Sequence, residues 1–140
     1  MQKESCGLLI KQIHDTIRRQ ADNSLRAKGL TLTQLRVLME LGEDGSDAKP
    51  LKELERRFNV AQSTIVGIVH RLEAKGFVHA TVAPDDNRVK LVKLTPDGEM
   101  FRKTTISEVE QSETHMLSGL TDVEQQYFIR MLRIVYDTIQ

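Results

Sequence analysis

The sequence lacks several features that would place it in a specialised class of protein. Its 140 residues include one cysteine, no tryptophan and only 4% aromatic residues. A single cysteine excludes an intramolecular disulfide framework and is typical of a reducing cytoplasm, where we expect the protein to act. No run of about 18 apolar residues occurs, so we expect neither a membrane-spanning helix nor a membrane partner. We also expect no signal peptide, because polar residues soon interrupt the N-terminal apolar patch.

Motifs that carry enzyme chemistry are also lacking. There is no nucleophile motif and no glycine-rich phosphate loop. The four histidines are scattered, and no two of them have the spacing of metal ligands within one helical turn; they are His14, His70, His79 and His115. The sequence therefore predicts no catalytic residue, no metal site and no cofactor, and we do not expect an enzyme.

The net charge is zero, but the charges are unevenly distributed along the chain. Residues 49–93 contain nine basic and five acidic residues, whereas residues 94–140 contain four basic and eight acidic ones. Residues 1–48 contain seven of each sign. A basic centre beside an acidic flank is expected when a DNA-binding region is carried on a scaffold that does not bind DNA.

The basic centre has the element order of a winged helix-turn-helix. The pattern predicts a helix at Leu51–Phe58 and a second helix at Ala61–Lys75. Two extended runs follow, Phe77–Val82 and Val89–Leu94, joined by residues 83–88, which are rich in turn formers. We therefore predict a mainly α fold with a small β-hairpin wing.

The second helix of this region has two distinct faces. Its apolar residues recur at spacings of three, four and seven, which predicts a buried face made of Val60, Ile65, Ile68, Val69 and Leu72. The opposite face is rich in hydroxyl and amide groups, which can bind base edges or phosphates. Its members are Gln62, Ser63, Thr64, Val66, Gly67, His70 and Arg71. An ordinary solvated helix can carry the same face, so this helix alone leaves both interpretations open.

The predicted wing carries basic residues near its tip. Arg88 follows the turn, and Lys90 and Lys93 lie on the return strand. An arginine at a hairpin tip can enter a narrow minor groove, where the negative electrostatic field is strongest. Asp86 is two residues away and can hold Arg88 in position. The alternative is a solvated Asp–Arg pair that contributes little to the stability of the fold and binds nothing.

Long amphipathic helices are predicted on both sides of this centre. One runs over Cys6–Lys28 and ends at Gly29; another begins at a capping box formed by Thr31 and Gln34. Residues 42–47 have the composition of a loop, and Pro50 suits a first helical turn. After the wing, helices are predicted over residues 95–117 and 121–139. Their apolar faces exceed what the centre can cover, so we expect them to pack against a second copy of the chain.

Several segments together resemble the MarR family of transcriptional regulators. They are Leu32–Leu35, Arg71–Val78, Asp85–Arg88 and Val92–Gly98, and the resemblance extends over nearly all 140 residues. It implies one domain, with dimerisation helices at residues 1–30 and 96–140 and a winged helix-turn-helix at residues 31–95. It also implies a homodimer that binds double-stranded DNA at a pseudo-palindromic operator as a repressor.

The resemblance also implies which residues contact DNA. On the recognition helix, Gln62, Ser63, Thr64 and Arg71 match the family's contacts, and on the wing Asp86 and Arg88 do. The sequence departs from the family where many members have a basic residue, at Gly67 and at Asn87. The predicted DNA-binding set is Gln62, Ser63, Thr64, Gly67, His70, Arg71, Asp86, Arg88 and Lys90.

The sequence gives fewer signals for what controls DNA binding than for DNA binding itself. Many relatives release DNA when a small aromatic molecule binds, which implies such an effector here. One alternative is redox sensing through Cys6, since its position resembles that of the sensing cysteine in one branch of the family. The other interpretation, which the lack of neighbouring tyrosines favours, is that Cys6 is a buried, small apolar residue of the first helix. A further alternative is a winged helix that binds another protein.

Overall fold

The computed structural model describes residues 4–42 and 48–140, and it is mainly α-helical with a small antiparallel sheet. The predicted fold class is therefore confirmed. Residues 43–47, which the sequence predicts to be a loop, lie outside the described residues. The elements are α1 (Cys6–Ala27), α2 (Leu32–Gly42), β1 (Lys49–Pro50), α3 (Leu51–Phe58), α4 (Gln62–Ala74), β2 (Val78–Ala83), β3 (Asp86–Leu94), α5 (Pro96–Met116) and α6 (Asp122–Ile139).

The chain divides into two compact units, one ending at Arg102 and the other spanning Lys103–Gln140. Helices α1 to α4 and the sheet belong to the first unit, and α6 belongs to the second. The organisation into a central DNA-binding region with dimerisation helices at both ends remains a prediction.

The core of the first unit fixes the orientation of α4. The apolar face predicted for this helix is buried at Ile65, Ile68, Val69 and Leu72, and Val60 packs against it while partly buried. Other elements contribute fully buried side chains, among them Val37, Leu38, Leu54, Val78 and Val92. Because one face of α4 is held in this core, its opposite face must point away from the core.

The turn between α1 and α2 follows the predicted signals. Gly29 has a φ of +71°, and the Leu30 N–H donates to the Leu25 carbonyl at 3.0 Å, as in a Schellman motif. The capping box is formed in both directions: the Thr31 N–H donates to Gln34 Oε1, and the Gln34 N–H donates to Thr31 Oγ1, each at 3.2 Å. These local bonds set where α2 begins.

The sheet has a third strand that the sequence analysis missed. Its order is β1-β3-β2, with Lys49 paired with Val92 and Pro50 with Leu91. Pro50 is therefore not in the first turn of α3; it is extended and occupies the N-cap position. A strand of two residues is too short to produce a periodic pattern. Its pairing also depends on residues about forty positions later in the chain.

The junction between the hairpin and α5 is tightly packed. Thr95 Oγ1 accepts a hydrogen bond from the Gly98 N–H at 3.0 Å, as the side chain of an N-cap residue does, and donates one to the Gly76 carbonyl. A Cβ on Gly98 would lie 1.9 Å from the Phe77 carbonyl oxygen. Only glycine fits at this point, where the start of α5 meets the end of the α4–β2 turn.

Two helices leave most of their apolar side chains uncovered. In α1 only Leu25 is buried, and in α6 no residue is. Cys6 is exposed, so the interpretation of a buried apolar cysteine does not hold for the single chain. The exposed apolar residues of these helices are Leu8, Leu9, Ile10, Ile13, Ile17, Val123, Tyr127, Ile129, Met131, Leu132, Ile134, Val135, Tyr136 and Ile139. No helix within the described ranges has the length and apolar character needed to cross a membrane.

Candidate nucleic-acid interface

The N-terminus of α4 has free hydrogen-bond donors. Ala61 occupies the N-cap position in an extended conformation, and an alanine side chain cannot cap the helix. The first turn contains no acidic residue. Uncapped N–H groups at a helix N-terminus attract anions, because the helix dipole adds to their partial positive charge. This end of α4 therefore suits a phosphate.

The outward face of α4 presents the residues that the sequence analysis singled out. Residues four apart lie in line on a helix, so this face has two rows, one of Gln62, Val66 and His70 and one of Ser63, Gly67 and Arg71. Gly67 is half-buried. The exposed predicted residues are Gln62, Ser63, Thr64, His70 and Arg71.

The wing differs in detail from the predicted hairpin. The turn is formed by Pro84 and Asp85 alone, and β3 begins at Asp86 rather than Val89. Val82 pairs with Lys90 but the next residue, Ala83, pairs with Asp86. Residues 87–89 therefore bulge out of the ladder. The bulge was not predicted, because it depends on pairing with β2 and not on the sequence of β3 alone.

The bulge positions the side chain of Arg88. Asp86 Oδ1 accepts hydrogen bonds from the Arg88 backbone N–H at 3.0 Å and from its Nε at 3.1 Å. Asp86 Oδ2 accepts a third from Nη2 at 3.2 Å. Side-chain and backbone donation by Arg88 lowers the pKa of Asp86 below its usual 3.8. The Arg88 side chain is still 90% exposed, so its guanidinium is oriented by Asp86 and open to a partner.

A concave surface of about 620 Å³ lies between α3, α4 and β3. Four predicted site residues lie along it: Gln62, Asp86, Arg88 and Lys90. The other five predicted residues do not line it, since they lie elsewhere on α4. The remaining lining residues are Pro50, Leu51, Lys52, Glu55, Val66 and Val89.

Two of these lining residues modify the charge of the concave surface in opposite directions. Lys52 adds a cation, and the basic excess of residues 49–93 already indicated a contribution of this kind. Glu55 adds an acid, and its buried Oε1 has no hydrogen-bond partner among the described residues. No sequence signal distinguished Glu55 from a solvated helix residue.

One contact links the recognition helix to the wing directly. Glu73, near the end of α4, accepts a hydrogen bond from the Ala80 N–H at 2.9 Å. Because β2 is an edge strand, this N–H has no strand partner on its outer side. Glu73 therefore holds β2 against α4, and the sequence analysis did not identify it because the contact depends on the fold.

The sequence of this chain is similar to those of known proteins. A family model described as MarR family matches residues 30–90. The transcriptional repressor NicR of Pseudomonas putida is 30% identical over 109 residues, which cover 78% of this chain and 68% of NicR. This chain belongs to the MarR family. Of two further curated relatives that it matches, the chain spans 77% of the length of one and 62% of the length of the other.

Solved structures extend the likeness to nearly the whole chain. The DNA complex of MepR from Staphylococcus aureus has a TM-score of 0.83 at 21% identity, covering 96% of this chain and 99% of MepR. BpsR from Bordetella bronchiseptica has a TM-score of 0.64 at 27% identity, covering 96% of this chain and 94% of BpsR. This MarR-family chain is a DNA-binding transcriptional regulator and not an enzyme.

Proposed function

We propose that the chain forms a twofold homodimer that represses transcription in the cytoplasm by binding a pseudo-palindromic operator, and that a small aromatic molecule releases it. In this proposal α4 enters the major groove and the wing enters the adjacent minor groove. The observation that carries it is the Arg88 guanidinium, oriented by Asp86 yet 90% exposed, on a concave surface that Gln62 of α4 also lines.

The dimer is supported by the apolar side chains of α1 and α6. Leu9 and Ile13 on α1 and Leu132 and Val135 on α6 are each between 40% and 48% exposed. A monomeric protein rarely leaves so many large apolar groups in contact with water on adjacent helical turns. A second copy covers them by a twofold interface, and this places two recognition helices about one DNA turn apart.

Each proposed DNA contact has a distinct role. The uncapped N-terminus of α4 binds a backbone phosphate, while Gln62, Ser63 and Thr64 contact base edges or phosphates nearby. Arg71, one turn before the end of the helix, binds a second phosphate.

The remaining contacts involve side chains that the wing and the middle of α4 provide. Arg88 enters the minor groove with Asp86 holding it, and Lys90 adds a cation on the same strand. His70 contacts a phosphate or a base from the middle of α4. Gly67 allows a close approach of the DNA to the helix.

Release by an aromatic effector is supported by a relative. The structure of BpsR is described as showing regulation of its DNA binding by 6-hydroxynicotinic acid, a small aromatic acid. By analogy, we propose that a hydroxylated aromatic acid weakens operator binding by this chain. A panel of hydroxybenzoic and hydroxypyridine carboxylic acids, added to the preformed complex, tests this directly; if none of them changes the dissociation constant, the proposed effector class is wrong.

Operator binding itself is tested with the DNA upstream of the chain's own gene. The purified protein is titrated against this duplex at several salt concentrations, with unlabelled competitor to separate specific from non-specific binding. Arg88→Ala and Arg71→Ala should each weaken binding and reduce the salt slope by about one unit for each lost phosphate contact. Arg36→Ala, at an exposed position of α2 outside α4, the wing and the proposed dimerisation helices, is the matched control and should bind like the parent.

The rival functions give different results in the same assay. If Arg88→Ala and Arg71→Ala bind a specific operator as tightly as the parent, these contacts are assigned wrongly. If the parent binds no duplex specifically at low salt, a protein partner for the winged helix becomes the better function. Loss of binding on peroxide treatment, prevented by Cys6→Ser, would replace the aromatic effector with redox sensing.

A further inference from the structure

One residue of α4 has an identity that the folded chain does not explain. Gly67 lies in the middle of a helix of 13 residues, where glycine is less favourable than alanine because its backbone loses more freedom. A Cβ on Gly67 would meet no atom within 4 Å, and its φ is not positive. By contrast, Gly98 is packed against the Phe77 carbonyl and Gly76 has a φ of +78°. Neither its backbone conformation nor its packing among the described residues therefore requires glycine at position 67.

The residue before it is the one large apolar side chain on the outward face of α4. Val66 is 40% exposed and lines the concave surface together with Gln62 and Arg88. A single exposed valine on a protein surface needs no explanation. This one, however, is centred on the face that is proposed to bind DNA and stands beside a position that has no side chain.

Together the two residues form a shallow apolar notch. Ser63 and Arg71 lie one turn before and one turn after Gly67 in the same row, and they form its polar ends. In the major groove, the C5-methyl of thymine is the apolar group that a base edge presents. A notch with an apolar wall and polar ends suits such a methyl group better than it suits a phosphate or an amino group.

We propose that Val66 and Gly67 receive the C5-methyl of a thymine, so that each recognition helix specifies a thymine at one position of its half-site. This inference rests on the proposed function, because it requires α4 to enter the major groove. The charges nearby fit a nucleic acid as the occupant: Lys52, Arg88 and Lys90 line the same concave surface, and the acids there are Glu55 and Asp86. The surface therefore has one more cation than it has acids.

The test removes the methyl group from the DNA and the apolar wall from the protein. The parent protein selects a specific duplex from a random library, and each thymine of that duplex is then replaced singly by deoxyuridine. At one thymine in each half-site, the parent should lose affinity about fourfold, the value for one buried methyl or methylene group. At all other thymines the change should be smaller.

Val66→Ala should abolish this sensitivity to the methyl group. The variant should bind the thymine duplex about fourfold or more weakly than the parent, and replacement by deoxyuridine should then cost nothing further. Val66→Thr is the matched variant, because it keeps the branched shape but replaces a methyl group with a hydroxyl. It should fall between the parent and Val66→Ala in its sensitivity to deoxyuridine, because its remaining methyl group can still contact the thymine methyl.

Filling the notch should move affinity and stability in opposite directions. Gly67→Ala should raise the thermal midpoint by about 3 °C, because alanine favours the helix. It should also weaken binding to the selected duplex by about fourfold or more, because the thymine methyl group loses its site. Gly119→Ala is the control, since a Cβ there also meets no atom within 4 Å but lies outside α4. It should leave duplex binding unchanged.

Three results would overturn the inference. If Val66→Ala stays as sensitive to deoxyuridine as the parent, the methyl group is not read by Val66. If Gly67→Ala binds the selected duplex as tightly as the parent, the notch is not used. Both results leave the proposed function standing, because a specific duplex has been selected. If the parent enriches no duplex even at low salt, the proposed function fails, and the notch fails with it.

Discussion

Helices α2 to α4 and the sheet, here called the reader, bury most of their apolar side chains, whereas the terminal helix α6 leaves most of its apolar side chains exposed. In the first unit, Leu54, Ile65 and Leu72 are completely buried. In α6, Leu132 is 43% exposed and Tyr127 is 55% exposed, and no residue of the helix is buried. Helix α1 resembles α6 in this respect, although it belongs to the first unit.

This difference shows that the chain by itself specifies the packing of one region and leaves the apolar faces of another region uncovered. The helices and strands of the reader cover one another, so a single chain specifies their packing. The apolar faces of α1 and α6 have the same amphipathic pattern, but the single chain leaves them in water. An amphipathic helix gains most of its stability from packing of its apolar face. For α1 and α6, the proposed dimer would supply that packing.

The largest expected effect comes from opening the reader core. Leu54→Ala removes a fully buried side chain of α3 and should lower the free energy of unfolding by about 2–5 kcal/mol, because it removes packing and leaves a cavity. The measurement is urea denaturation followed by far-UV circular dichroism at several protein concentrations. The shift of the midpoint relative to the parent should be nearly the same at each concentration.

Leu132→Ala is the matched change in α6. The same atoms are removed, but they are 43% exposed in the single chain and, under the proposed dimer, contact the partner copy. Its main effect should be a higher dissociation constant of the dimer in sedimentation equilibrium, and the loss of stability should grow on dilution. If Leu132→Ala destabilises the chain as much as Leu54→Ala at every concentration, the contrast between the two regions does not hold.

A smaller effect is expected from the two capping boxes, one in each region. Thr31→Ala removes a hydroxyl that accepts from the Gln34 N–H, and Thr121→Ala removes one that accepts from the Glu124 N–H, both at 3.2 Å. Each change should lower stability by about 1 kcal/mol. Thr31→Ala should cost more, because Gln34 is 5% exposed and water cannot replace the lost bond.

Calorimetry and hydrogen exchange distinguish the two capping variants. Thr31→Ala should lower the thermal midpoint of the whole reader, whereas Thr121→Ala should mainly speed exchange in the first turn of α6. Thr31→Ser and Thr121→Ser keep the hydroxyl and serve as controls. A larger loss for Thr121→Ala than for Thr31→Ala would mean that α6 is more strongly coupled to the fold than its exposed side chains indicate.

Local signals predicted the helices, because caps and amphipathic spacing are contained in neighbouring residues. The bounds predicted for α3, Leu51–Phe58, agree with the structure at both ends, and the buried face predicted for α4 is correct. The polar face of α4 follows from the same periodicity. Its role in DNA binding could be proposed only because the wing motif accompanies it.

Contacts between distant residues could not be predicted in this way. Lys49 is 3% exposed, although a lysine is normally at the surface; its Nζ donates to the Glu40 carbonyl oxygen at 3.0 Å and pairs with the Glu40 carboxylate. Arg57 binds the same carboxylate. The bulge at residues 87–89 and the bond from Ala80 to Glu73 are non-local in the same sense, since each depends on which strands pair.

The smallest expected effect concerns the surface of the reader and not its core. Asp86→Asn keeps an oxygen that can accept the Arg88 backbone N–H but removes the charge that holds the guanidinium. We expect operator affinity to fall only about twofold to threefold, because an exposed ion pair contributes little. The same substitution in an Arg88→Ala background should have no effect, since the two residues act as a pair.

The clamp, by which we mean the ion pair in which Asp86 holds the Arg88 guanidinium, has a pH dependence that follows from the direction of the Asp86 pKa shift. Its folded-state pKa is lowered, so the clamp is present above the unfolded value of about 3.8 and is lost only as the pH falls through the lower folded value. The affinity ratio of the parent to Asp86→Asn should therefore be constant between pH 8 and pH 5. A ratio that declines across that range would show that Asp86 is not ionised throughout it, and the oriented Arg88 would then lose its explanation.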